Sequence, residues 1–357
     1  MTRIRHRNPS QNFDHTRRHQ RRRGGSRPKT RSLDPPPDKK LRKSEDDDVL
    51  RRLLLSVAAS PRVKRGVEVV PLTKHVVDRF VAGDDVGDAL AASRKLVAAG
   101  LLASIDRLGE ATTDPTHAEA TASAYVWLLK ELADAGLADF CEVSLKLSSL
   151  GQALEKDGEQ IALGHARTVC AAAREAGTTV TVDMEDHTTT DATLSAVHEL
   201  RKDFPSVAAV LQAALLRTEA DCVDFAGEGS RVRLCKGAYN EPASVAHRDR
   251  AAVDLSYVRC LRILMRGKGY PMVATHDPRL IAVSGVMAVQ AGRSKGDYEY
   301  QMLFGVRPDE QRRLAARGER IRVYLPYGTQ SYPYLMRRLA ERPANLAFFL
   351  RAVASKR

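Results

Sequence analysis

Residues 231–239 read RVRLCKGAY. A short run rich in branched and apolar residues, 231–235, ends on a charged and glycine-containing segment, and an amphipathic helical stretch follows at 250–267. The same unit recurs on both sides. Comparable runs lie near 102–106, 142–147, 178–184, 207–212, 271–275, 299–303 and 321–325, with helical stretches at 117–136, 159–176, 190–202 and 278–290 among the connections. Eight strands alternating with helices imply parallel pairing through crossover helices. Eight is also the number that closes a barrel with the helices outside. The fold expected is therefore α/β, a (βα)8 barrel. A doubly wound open sheet is the alternative, but no GxGxxG or GxxxxGK[ST] follows the first strand. The run at 299–303 fits a strand pattern least well.

The chain has 357 residues, 43% of them hydrophobic, enough for one barrel-sized domain. Its formal charge of +13 is unevenly spread. Residues 1–45 hold 15 Lys and Arg against 4 Asp and Glu, which leaves 42 against 40 in the rest. The body is nearly neutral, so the basic balance does not make the protein a nucleic-acid binder. Residues 1–45 are almost free of large apolar side chains and are expected to form a disordered basic tail. They are Arg-rich like a transit peptide but lack an amphipathic apolar face, and they lack the apolar core of a secretory signal. Residues 46–98 read as a helical arm, and 46–357 as one domain. Five scattered cysteines without a CxxC pair suit reduced thiols in the cytoplasm. No stretch approaches the roughly 18 apolar residues of a spanning helix.

Chemistry in a (βα)8 barrel sits at the C-terminal ends of the strands. Those ends carry Asp106 and Glu110, Lys146, Asp183 to His187, Gln212, Lys236 to Tyr239, Thr275 to Asp277, and Tyr327 with Gly328. Each alone is an ordinary surface residue. Together they bring charge to one rim, which a purely structural barrel does not need. Beyond the eighth strand, Tyr334, Arg337, Arg338 and Glu341 share one helix face. That face suits either a carboxylate held by two guanidiniums or a solvated surface in which Arg338 pairs with Glu341. The Arg233, Lys236, Gly237, Ala238 segment combines close backbone approach with positive charge, which fits a cofactor pyrophosphate and a sugar phosphate equally. No Ser-His-Asp order and no HExxH is present. His187, Glu185 and Asp183 lack a second His at ligand spacing, so no metal is expected.

The segments VSLKLSSLG (143–151), TVDMED (181–186), RLCKGAY (233–239), ATHD (274–277), YEYQMLFG (298–305), RVYLPYG (322–328) and YPYLMRRLAERPAN (332–345) resemble, in order, those of the proline dehydrogenase family. The resemblance runs from about residue 46 to the C-terminus. It implies a distorted (βα)8 TIM-type barrel with additional N-terminal helices. It also implies noncovalent FAD, oxidation of L-proline to Δ1-pyrroline-5-carboxylate, and a membrane quinone as electron acceptor. A cytoplasmic protein touching the inner membrane peripherally would fit. Lys146, Arg337 and Arg338 resemble the clamp on the proline carboxylate, Asp106 the acid that holds the lysine, and Glu110 a loop carboxylate that closes the site. Tyr324, Tyr334 and Leu303 resemble the walls around the ring. Arg233 resembles the residue beside the flavin N5, and Asp183 the carboxylate that orients it. Met184, Gln212, Lys236, Gly237, Ala238, Thr275, His276 and Glu341 match flavin contacts. Asn240 stands where some members have Trp, and Asp277 where Asn is frequent. Two other readings stay open: a flavin barrel reduced by NAD(P)H, and a nucleic-acid binder acting through the basic tail.

Overall fold

The computed structural model describes residues 78–331 and Tyr334. Within them eight parallel strands close into a barrel in chain order, β1 (Leu102–Arg107), β2 (Cys141–Leu145), β3 (Val180–Val182), β4 (Ala208–Gln212), β5 (Arg231–Cys235), β6 (Tyr270–Ala274), β7 (Glu299–Leu303) and β8 (Ile321–Tyr327). β8 closes on β1 through the register Ser104 to Tyr324. The helices are α1 (Val86–Ala98), α2 (Pro115–Asp134), α3 (Gly158–Glu175), α4 (Thr190–Asp203), α5 (Thr218–Asp224), α6 (Arg250–Arg266), α7 (Pro278–Gln290) and α8 (Pro308–Ala316). The barrel expectation holds, and all eight strands fall where the sequence places them. The tail at 1–45, the arm before residue 78, and Arg337, Arg338 and Glu341 lie outside the described residues.

Local chemistry explains the helix starts. Asp114 and Asp277 each accept a hydrogen bond from a first-turn N–H and are followed by proline at the first helical position. Asp85 and Asp88 form a reciprocal capping box on α1, which packs against the seam between β8 and β1. Two helices that the sequence reading did not mark, α5 and α8, are short at seven and nine residues, too short for a strong periodic signal. β3 is shorter than the expected 178–184. At its start, the hydroxyls of Thr178 and Thr179 donate to the carbonyls of Cys141 and Ser206 outside the ladder.

The outward faces of the strands are aliphatic, but the barrel interior is ionic. At its lower end Glu299, fully buried, receives Nε and Nη2 of Arg322 at 2.8 and 3.2 Å and the Tyr270 hydroxyl at 3.2 Å. Glu142 receives Arg231 Nη2 at 2.7 Å, Thr181 Oγ1 at 2.8 Å and Ser104 Oγ at 3.1 Å. Burial alone would raise the Glu142 carboxyl, but Arg322, Arg231 and Arg233 outweigh it and hold the group well below the usual carboxylate range. Barrel interiors are ordinarily filled by branched aliphatic side chains.

Removing one partner from such a lattice should be costly. Arg322→Met is expected to lose about 3–5 kcal/mol of stability, because it strips Glu299 of its guanidinium; a urea-unfolding loss below about 1 kcal/mol would contradict this. The depressed Glu142 carboxyl stabilises the fold fully above the unfolded glutamate value of about 4.3, and that contribution is lost as pH falls through the lower folded value. Stability measured from pH 6 downward should therefore fall more steeply in the parent than in Glu142→Gln.

Candidate active site

At the C-terminal mouth of the barrel lies a cavity of about 700 Å³. Lys146 follows β2 directly, where its carbonyl accepts the Ser149 hydroxyl at 2.8 Å, anchoring the short 3-10 turn Leu147–Leu150. Its ammonium donates to Asp106 Oδ1 at 2.7 Å, sits 3.4 Å from the Tyr324 hydroxyl and lies 3.7 Å from Asp183 Oδ2. Burial by itself would depress the Lys146 ammonium. Asp106 and Asp183 reverse that and hold it above the ordinary lysine value, so it stays charged.

Asp183 joins the mouth to the lattice below. Its Oδ1 accepts Arg233 Nη1 at 2.5 Å and the Ser144 hydroxyl at 2.9 Å, while its Oδ2 accepts the Tyr324 hydroxyl at 2.7 Å. Burial, then Asp106 and Asp183, push the Tyr324 phenol well above its usual value, which keeps it a donor. The Arg233 guanidinium carbon lies 5.2 Å from the centre of the Tyr324 ring. Leu303 and Tyr334 line the same cavity. The structure thus brings together Asp106, Lys146, Asp183, Arg233, Leu303, Tyr324 and Tyr334. The Glu110 N–H donates to Gln330, tying the loop after β1 to the chain beyond β8.

The β4 to β6 side of the mouth has a different character. Met184, Gln212, Lys236, Gly237, Ala238, Thr275 and His276 line it. Gln212 Nε2 donates to the Glu185 carbonyl at 2.7 Å, which turns its Oε1 toward Gly237. Gly237 has φ +108°, and a Cβ there would meet that oxygen at 3.2 Å and Ala214 at 3.3 Å. His276 Nε2 accepts the Leu303 N–H at 2.9 Å, which places a neutral ring's proton on Nδ1. Lys236 pairs with Asp254 and lies 3.5 Å from Asp277. Asp277 also caps α7 and binds Arg279. Arg248 and Arg250 add further positive charge to the lining. Ligand cavities span about 300–1,000 Å³. The volume, the glycine cradle and the cationic rim fit the flavin dinucleotide that the resemblance implies.

Several contributors escaped the sequence reading. Gln301, Ser104 and Ser144 all hold Arg233, and Glu142 lies 3.5 Å from it. Their signal was polar residues at alternate positions within apolar strands, Glu142 with Ser144 and Glu299 with Gln301, which mark inward faces. His187, considered above for a metal, instead approaches Glu241 Oε2 through Nδ1 at 2.5 Å and donates its backbone N–H to Oε1 at 3.1 Å. This ties the loop after β3 to the loop after β5. Among the described residues no group of three His, Cys, Asp or Glu is placed to hold a metal ion, and no helix is long and apolar enough to cross a membrane.

Comparison with known proteins points to one family. The family model described as Proline dehydrogenase matches residues 89–351. A Proline dehydrogenase of Deinococcus radiodurans is 38% identical over 302 residues, spanning 84% of this chain and 96% of that protein. Proline dehydrogenase 1 of Bacillus subtilis is 37% identical over 278 residues, spanning 78% and 90%. Among solved structures, proline utilization A from Bdellovibrio bacteriovorus, inactivated by N-propargylglycine, aligns with a TM-score of 0.69 at 25% identity. That alignment covers 75% of this chain but only 32% of the larger protein.

Gly237→Ala should strain the loop after β5 by on the order of 1–3 kcal/mol and press its Cβ on Gln212. Thermal unfolding reads the effect, and an unchanged Tm would show that the loop absorbs a side chain freely.

Proposed function

Because the chain belongs to the proline dehydrogenase family, we propose that it oxidises L-proline to Δ1-pyrroline-5-carboxylate with FAD, and that a membrane quinone takes the electrons onward. The reaction opens proline catabolism toward glutamate. The observation that carries this reading is the charged Lys146 ammonium, held at the cavity by Asp106 within 3.7 Å of Asp183. It offers an anchor for a small carboxylate beside a buried guanidinium.

Proline must lose a hydride equivalent from C5 and a proton from nitrogen as the C=N bond forms. FAD, when bound, supplies the two-electron acceptor. The residues proposed to hold it are Met184, Gln212, Lys236, Gly237, Ala238, Thr275 and His276, with Glu341 beyond the described residues. Lys146, joined by Arg337 and Arg338, is proposed to grip the carboxylate through charge-assisted hydrogen bonds. A rigid five-membered ring gripped at one end presents C5 by geometry alone. Tyr324, Tyr334 and Leu303 wall that ring and keep water away. Arg233, oriented by Asp183, puts positive charge where negative charge builds up during transfer. The substrate amine reacts in its neutral form. The protein is proposed to work on the cytoplasmic face of a membrane as a peripheral partner, with the basic segment 1–45 playing no part in catalysis.

The purified chain should be yellow, and anaerobic proline should bleach it. Bleaching by NADH but not by proline would favour a different flavin barrel. Lys146→Met, Arg337→Met and Arg338→Met should each retain flavin yet lose about 10- to 100-fold in kcat/KM for proline, from about 1.5–3 kcal/mol per charge-assisted contact. Parent-like kinetics in all three would remove the carboxylate clamp. For the parent, kcat/KM should rise with pH as the amine deprotonates, and a flat profile would contradict a neutral reacting amine.

A further inference from the structure

Gln301 stands in β7, buried, on the floor of the cavity it helps to line and across the barrel from Asp183 in β3. Its amide has only one sensible orientation. Nε2 donates to Glu299 Oε1 at 2.6 Å and lies 3.2 Å from the Met272 sulfur. Oε1 accepts Arg233 Nε at 2.6 Å. The Glu299 carboxylate, gripped by Nε and Nη2 of Arg322, can only accept. The amide nitrogen must therefore face Glu299, and the oxygen must face Arg233.

The other contacts of Arg233 fall on its terminal nitrogens. Nη1 donates to Ser144 at 2.9 Å and Asp183 at 2.5 Å, and Nη2 to Ser104 at 2.8 Å. Gln301 is the acceptor on Nε, the atom about which the guanidinium plane is set. Register places Ser104, Arg233 and Gln301 on the odd-numbered strands β1, β5 and β7, which supply one layer of a barrel interior between them. A relay thus runs from Arg322 through Glu299 and Gln301 to Arg233, each donor facing an acceptor.

We propose that Gln301 is a positioning residue for the reaction: backed by Glu299 and Arg322, its amide oxygen fixes the plane of the Arg233 guanidinium and so the direction in which that charge meets the cofactor and substrate. The proposal rests on the proline dehydrogenase reading above. It does not place Gln301 in contact with proline. Loss of the amide therefore acts on electron transfer rather than on the carboxylate grip.

The test uses the flavin-loaded full chain. Gln301→Leu removes the acceptor, and Gln301→Met does so with an unbranched side chain should the leucine variant fail to fold. The double exchange Glu299→Gln with Gln301→Glu returns an acceptor to Arg233 Nε at unchanged net charge. Three quantities are read: the flavin midpoint potential by dye titration, the rate of flavin reduction at saturating proline, and the affinity for a cyclic carboxylate that lacks the ring nitrogen. Gln301→Leu or Gln301→Met should slow reduction by about 10- to 100-fold and lower the potential by about 30 mV, the equivalent of tenfold for a two-electron couple. Carboxylate affinity should change less than about threefold, and the double exchange should recover at least half of the potential shift. An unchanged potential and rate would overturn the proposal. So would a loss of carboxylate affinity as large as the loss of rate, because that is the mark of general disorder in the site. The potential is measured without proline, so a chain that holds flavin but ignores proline defeats the substrate reading while the relay is still judged. A chain that binds no flavin defeats both.

Discussion

One buried guanidinium organises the barrel. Arg233 rises from β5 and is met by acceptors from β1, β2, β3 and β7: Ser104, Ser144, Asp183 and Gln301. A cation this deep is tolerable only when its N–H groups find partners, since an unpaired buried charge costs several kcal/mol. That demand propagates downward. Asp183 and Gln301 satisfy Arg233, Glu299 satisfies Gln301, and Arg322 satisfies Glu299. Including Lys146 and Asp106 above, and Arg231 and Glu142 below, four cations meet four carboxylates within one strand ring. The lattice is neutral as a whole, which is what makes its burial feasible. A layer of aliphatic side chains would pack more cheaply, but it would leave Arg233 free to change rotamer. Rigidity at the mouth is what the polar interior supplies, and a site whose supports are locked loses less order when it binds.

Much of this was legible in the sequence, and the reason is periodicity. Strand after strand reads as a short branched run ending in a charged or polar residue, so the barrel and its polar rim follow from the same pattern. Asp106, Lys146, Asp183 and Arg233 stood out because a charge next to an apolar run is conspicuous. Gln301 and Glu299 were obscured by the same logic. They interrupt the apolar pattern of β7 and made that strand look weak, although both point inward and are almost completely buried. A single chain cannot distinguish a polar residue facing solvent from one facing a polar core, because the alternation is identical and only closure of the sheet assigns the face. His187 illustrates a second limit. Its neighbours in sequence, Asp183 and Glu185, raise the question of metal chemistry, whereas the partner that matters, Glu241, is 54 positions away and joins it only after β3, β4 and β5 are aligned.

The rim extends the same electrostatic principle outward, with a consequence for binding. Three of its cations already have resident anions: Lys146 has Asp106, Lys236 has Asp254, and Arg279 has Asp254 and Asp277. An incoming carboxylate or phosphate therefore does not meet bare charges that must first be desolvated and ordered. It joins or replaces a carboxylate on a cation whose rotamer is set, trading one charge-assisted hydrogen bond for another of similar strength. Resident pairing thus lowers the gain from raw attraction but also lowers the reorganisation cost, and it biases the site toward ligands that satisfy the geometry over those that are merely anionic. Lys146 shows the balance most clearly. Asp106 keeps its ammonium charged despite burial, yet occupies only part of its three-donor capacity, so a small acid can be added without breaking the support that holds the lysine in place.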